Sequence, residues 1–138
     1  MNAKANKSEK FKPSTHRKVA MKNISTIKDD STLVILEDIK REITITLGEK
    51  VKEIVLYGSY ARNEQNMDSD IDIVVFLDNA VTNKAEIRKK LTDIKVDLSL
   101  KYDVVVSILL KDYRQYMDYR DIVPFYSHIY NEGVALYG

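Results

Sequence analysis

Gly58-Ser59-Tyr60-Ala61-Arg62 is followed, seven residues later, by Asp70-Ile71-Asp72-Ile73-Val74-Val75. This pairing constrains the fold most, because each half needs a particular backbone. The preceding run Glu53-Ile54-Val55-Leu56-Tyr57 reads as a short buried strand, and Gly58-Ser59 stands where that strand turns into a helix begun by Tyr60-Ala61-Arg62. A glycine removes the side chain that would block close backbone approach. Serine adds a hydroxyl, and the start of a helix offers free N–H groups and a positive dipole end, so the bend suits a phosphate. Asp70 and Asp72 are two residues apart, so on a strand both carboxylates leave one face, roughly 7 Å apart. Two carboxylates at that span bracket divalent ions. Magnesium fits, since it takes oxygen ligands and shares its shell between protein carboxylates and substrate phosphates.

Hydrophobic spacing places this motif among other elements. Leu33, Leu36, Ile39, Ile43 and Leu47 recur at helical spacing, with Asp30 or Ser31 as the cap and Gly48 as the stop. The strand ending at Tyr57, the Ser59 helix and a strand from Asp70 to about Leu77 follow. Ile87, Leu91, Ile94 and Leu98 mark a second amphipathic helix, and Asp103 to Leu110 is a β-branched-rich strand. Residues 111–121 and 124–132 read as short helices, the second opened by Pro124 and closed at Gly133, with Val134-Ala135-Leu136 as an edge strand. In the Asp70 strand, Ile71, Ile73, Val75 and Leu77 form the core face. Asp70, Asp72, Val74 and Phe76 form the other, with Val74 and Phe76 lining the far end of the open surface. The expected class is α/β (α+β), a small mixed sheet with helices mainly on one face.

Composition narrows the chemistry. At 138 residues and 44% hydrophobic, the chain suits one domain with a real core. It has no cysteine, and His16 and His128 lie far apart, so any metal is expected to be oxygen-bound. The run Ile73 to Leu77 is too short for a membrane span, and the basic N-terminus lacks a signal-like apolar stretch, which makes cytoplasmic residence the default. Residues 1–30 hold eight Lys/Arg and three acids, so they carry +5 and residues 31–138 carry −4. The domain reading is a basic, flexible extension over 1–30 and a folded domain over 31–138. An acidic folded part does not suggest direct nucleic-acid binding.

Gly58-Ser59, ten residues, and Asp70-Ile71-Asp72 resembles the signature of the polymerase-beta nucleotidyltransferase superfamily, specifically its minimal single-domain members. The ending Glu132-Gly133-Val134-Ala135-Leu136-Tyr137 resembles that of minimal nucleotidyltransferases paired with HEPN-type ribonuclease toxins. One departure is Asn63, where such relatives often have Gly after the Ala-Arg pair; Asn tolerates positive φ better than most residues. The resemblance implies a third metal carboxylate at Asp103, two Mg2+ ions shared by Asp70 and Asp72, and Asp103 on the ion nearest the acceptor, able to take its proton. It implies ATP as substrate, with Gly58 and Ser59 gripping the β- and γ-phosphates. Arg62 either contacts phosphate or braces the loop, and Ser69 steadies the carboxylate loop.

The implied activity is transfer of AMP onto a hydroxyl of a partner HEPN toxin, making the chain an antitoxin. Residues 111–132 are the candidate docking face. The other readings are an antitoxin that neutralises by occlusion without catalysis, and the catalytic subunit of a two-chain small-molecule (antibiotic) nucleotidyltransferase. Tyr113, Tyr116, Tyr119, Tyr126 and Tyr130 recur at roughly helical intervals, which suits core or partner contact.

Overall fold

A computed structural model describes residues 21–138. The described part opens with a two-residue strand β1 (Lys22–Asn23) and one 3-10 turn (Ile24–Thr26), then enters α1 (Asp30–Leu47). The Asp29 carboxylate accepts the Thr32 N–H and so caps α1, one residue before the expected cap. Strand β2 (Val51–Tyr57), a 3-10 turn (Ser59–Arg62), β3 (Ile71–Leu77), α2 (Lys84–Tyr102) and β4 (Val106–Asp112) follow. The chain ends in α3 (Tyr113–Tyr119), α4 (Pro124–Glu132) and β5 (Val134–Tyr137).

The five strands form one mixed sheet in the order β1-β5-β2-β3-β4. Strand β3 pairs antiparallel with β2 and parallel with β4, and α2 is the crossover that a parallel neighbour requires. On one face Ile54, Leu56, Ile71, Ile73, Val75, Leu77, Val106 and Leu136 pack under α1 and α2, whose Leu36, Ile39, Ile43, Leu91 and Leu98 point inward. The two long helices therefore cover one side, as expected.

The opposite face departs from expectation. Val74 and Phe76 do not line an open surface; they are fully buried with Val55, Tyr116, Tyr126 and Ile129 beneath α3 and α4. Phe76 stacks on Tyr116 at a centroid distance of 4.2 Å, and Tyr126 meets Tyr116 edge-on at 5.6 Å. Two short helices suffice as a roof because aromatic rings cover much area per residue. Tyr116 and Tyr126 thus belong to the core, while Tyr119 is exposed and His128 is half-buried beside Glu132.

Two boundaries also shift. Lys22 and Asn23 pair with Val134 and Ala135, and Ile27 is buried in the main core, so the folded unit includes residues assigned to the extension. Residues 1–20, which hold the whole of the basic excess, lie outside the described residues. Because β1 pairs with β5, β5 lies inside the sheet rather than at its edge.

A polar knot joins the long helices. Asp38 is buried on α1, where its carboxylate pairs with Arg41, accepts from Lys101 Nζ at 2.8 Å and accepts from the Tyr102 hydroxyl at 2.5 Å. The hydrogen bonds from Lys101 and Tyr102, with the Arg41 and Lys101 charges, hold the Asp38 carboxyl below its ordinary pKa against the opposing effect of burial. A depressed folded-state value means that this stabilisation is present above the usual carboxylate pKa of about 3.9 and is lost as pH falls through the folded value. Asp38→Asn is expected to lower the thermal midpoint by a few degrees at neutral pH and to flatten the loss of stability on acidification. Equal melting of the two proteins at pH 7 would contradict this role.

Candidate active site

Strand β2 ends at Tyr57, which pairs with Asp72 across the antiparallel ladder, and the chain bends at the next residue. Gly58 has φ 77° and ψ −160°, a backbone open to glycine and strained for other residues. A Cβ placed on it would lie 2.5 Å from Asp72 Oδ2. Both conditions exclude a side chain, so Gly58 is what lets the bend close onto the carboxylate.

The segment after it is shorter than expected. Ser59–Arg62 is a four-residue 3-10 turn, closed by Ala61 N–H to Gly58 O at 3.1 Å and Glu64 N–H to Ser59 O at 3.0 Å. It has no α-helical dipole, and the groups it offers to an anion are the N–H groups that begin the turn and the Ser59 hydroxyl. Asn63 adopts φ 57°, as anticipated for the residue standing where relatives often have Gly. Its side chain also donates to Thr26 O at 2.9 Å and accepts from Lys28 N–H at 3.1 Å, while Lys22 Nζ donates to Ala61 O at 3.0 Å. The N-terminal segment thereby braces the bend.

The carboxylates sit where β3 begins. Asp70 is exposed and immediately precedes the strand; Asp72 is half-buried within it. Burial, and then the charge of Asp70, push the Asp72 carboxyl above its ordinary pKa. The Tyr57 hydroxyl is pushed up to about 12 by burial and by Asp72. Tyr60 is raised by burial and then by Asp29 and Asp70. Two tyrosines thus stay protonated beside the acids and can serve as hydrogen-bond donors.

The remaining expected residues are placed as follows. The Ser69 hydroxyl accepts from Asn66 N–H at 2.9 Å and holds the loop before Asp70. Arg62 Nε donates to Glu64 Oε1 at 3.0 Å, on the surface. Asp103 is not on a strand. It is the C-cap of α2 with φ 53°, a left-handed conformation that Asp tolerates, and β4 begins only at Val106. The chain needs those intervening residues to reverse from helix into strand. The residues of β4 and its approach that share the Asp72 face at its end of the sheet are Ser107, directly opposite Asp72, and Val105, with Leu109 and Lys111 further along the same face. Among the described residues no three His, Asp or Glu side chains gather in a group that could hold an ion, so Asp103 is not brought together with Asp70 and Asp72.

Tyr57 is the site residue that sequence reasoning missed. Its apolar strand made it look like core, and only the Tyr57–Asp72 pairing shows that it flanks the carboxylate, with its ring edge-on to Phe125 at 5.5 Å.

The sequence model of the nucleotidyltransferase domain family matches residues 35–129, a span holding the bend and all three acids. The chain belongs to this family. Among curated relatives, this nucleotidyltransferase is 32% identical over 76 residues to the "Putative protein adenylyltransferase MJ0141" of Methanocaldococcus jannaschii, covering 55% of this chain and 75% of that protein. It is 40% identical over 94 residues to the "Putative protein adenylyltransferase MJ0128" of the same organism, covering 67% and 86%. Its fold is shared with a chain from a crystal structure of a toxin-antitoxin with AMP-PNP, at 21% identity, with a TM-score of 0.50 over 74% of this chain and 73% of that one.

Gly58→Ala tests the bend. The added methyl must displace Asp72 and adopt a strained backbone, costing about 1–3 kcal/mol. The expected result is a folded protein whose ATP affinity falls at least about tenfold by titration calorimetry. Unchanged affinity would show that the close approach of Gly58 to Asp72 is not needed for binding.

Proposed function

We propose that this nucleotidyltransferase moves AMP from ATP onto a hydroxyl of a HEPN-type ribonuclease toxin and thereby acts as its antitoxin. The observation that carries the reading is Gly58 packed onto Asp72, which sets an anion-accepting bend against paired carboxylates. The names of the M. jannaschii relatives support AMP as the group moved and a protein as acceptor. The fold shared with a chain of an AMP-PNP-containing toxin-antitoxin agrees with an adenine nucleotide and a toxin partner.

Each residue then has a role. Gly58 offers close backbone approach and Ser59 a hydroxyl to the β- and γ-phosphates. Asp70 and Asp72 supply an oxygen-only donor set suited to Mg2+, and a cation between them would offset both the burial and the Asp70 charge that raise the Asp72 carboxyl. When bound, the two expected ions would neutralise phosphate charge and make the acceptor hydroxyl easier to deprotonate. Tyr57, neutral and beside Asp72, can donate a hydrogen bond to that carboxylate or to a phosphate oxygen. Arg62 is held by an exposed ion pair worth at most about 1 kcal/mol, so a phosphate can draw it from Glu64 at little cost.

The decisive assay combines the purified chain, Mg-ATP labelled on the α-phosphate, and the partner toxin. Label is expected on the toxin, and Asp70→Asn with Asp72→Asn should abolish it. Neutralisation of the toxin by that double variant with no nucleotide transferred would replace catalysis with occlusion. Asp103→Asn examines the proton-accepting role implied by resemblance. If Asp103 takes the acceptor proton, transfer falls by about two orders of magnitude while ATP affinity is kept. Unchanged transfer would confine the acidic machinery to Asp70 and Asp72.

A further inference from the structure

The two borders of the sheet are not alike. At one, β1 is only two residues long. At the other, β4 runs seven residues without proline and has β3 as its only strand partner among the described residues. In the parallel ladder Ile71 N–H donates to Val105 O at 2.8 Å, so Val105, Ser107, Leu109 and Lys111 turn their backbone polar groups toward β3. Val106, Ile108 and Leu110 turn theirs outward. Val106 N–H is met by the Ser99 hydroxyl at 3.0 Å, whereas among the described residues no strand lies beyond Ile108 and Leu110. An edge of this length with outward N–H and C=O groups is a template for another strand.

Charge selects the occupant. Between β4 and α2 runs a groove of about 240 Å³ lined by Arg88 and Lys95 of α2 and residues 108–111 of β4. No acidic residue lines it, and among the described residues Arg88, Lys95 and Lys111 have no carboxylate partner. The groove lies on the α2 side of β4, and the Asp72 side of the same strand carries Ser107, opposite Asp72, and Leu109 two residues further along.

We propose that the outer edge of β4 receives an acidic, extended segment of the acceptor protein as an additional strand. This rests on the reading above that the acceptor is a protein. Side chains of such a segment alternate. One set enters the groove, where carboxylates meet Arg88 and Lys95. The other set lies on the Asp72 face, two strand spacings of about 4.8 Å from β3, and a long hydroxyl-bearing side chain laid across β4 points at the carboxylates. The edge thus supplies main-chain affinity, the basic groove supplies selectivity, and the alternation presents the hydroxyl to the site.

Fluorescent peptides read the edge without depending on catalysis. The probe alternates Glu and Thr around one Tyr placed in the Thr register, and it is compared with a Gln-for-Glu version and with two versions N-methylated on one or the other alternate set. The full chain is expected to bind the acidic probe about tenfold more tightly than the Gln version. N-methylation of one set should abolish binding while the other set is tolerated. Arg88→Glu with Lys95→Glu should lose that tenfold preference while keeping ATP affinity and thermal midpoint. Equal affinities, or indifference to which set is methylated, would overturn the proposal. So would a dimer that excludes the probe, placing a second copy on the edge, or a single-stranded oligonucleotide that outcompetes it. Toxin labelling separates the two readings. Label equal in wild type and the charge-reversed variant defeats the edge alone, and no label with wild type defeats the assigned acceptor whatever the peptides do.

Discussion

The contact between Gly58 and Asp72 is the constraint around which the site is built. It exists because Tyr57 and Asp72 are register partners, so the residue after Tyr57 must bend immediately beside the Asp72 carboxylate. A strand ending one residue later would carry the bend past it. A side chain at that point would occupy the position of Oδ2. The register is in turn set by Ile54 and Leu56 facing the same core as Ile73 and Val75, and a one-residue slip of β2 would turn Ile54 and Leu56 toward the other face. Core packing therefore decides where the carboxylate stands relative to the bend.

The sheet divides labour by face and by end. One face is closed by two long helices and has the larger core, locked by the Asp38 knot. The other is roofed by α3 and α4 over Val55, Val74 and Phe76, leaving the Asp72 and Ser107 end half-exposed. Burying half of a face serves chemistry as well as stability. The aromatic roof supplies Phe125 against Tyr57, and Lys111 of β4 lies over Phe125 at 5.9 Å, so the wall beside the acids is partly apolar. That environment is why Asp72 and Tyr57 are both pushed up, while Asp70, outside the strand, is exposed.

The two ends of the described chain meet in this arrangement. Strand β5 fits between β1 and β2, and the segment that carries β1 also grips the bend through Lys22 and Asn63. Residues distant in sequence thereby hold a four-residue turn that has few internal bonds of its own. The turn is short, and part of its bracing comes from outside it.

The helices, the order of elements and the Gly-Ser and Asp-x-Asp motifs were legible in the amino-acid sequence, because each is a local pattern. Helical spacing from Leu33 to Leu47, alternation from Ile71 to Leu77 and the residue types at the bend depend only on near neighbours. What escaped needed pairing between distant segments: β5 as an inner strand, Lys22 as part of the sheet, Val74 and Phe76 under a roof, and Tyr57 beside Asp72. Asp103 shows the boundary most clearly. Its β-branched followers suggested a strand from Asp103 onward, but α2 ends in a left-handed cap at that residue and the ladder starts at Val106. Local preference named the elements, the acids and the face that Asp70 and Asp72 share; the long-range register of the sheet alone determined what stands beside Asp72, namely Tyr57, Gly58 and Ser107, since hydrogen-bond pairing, not residue type, places one strand against another.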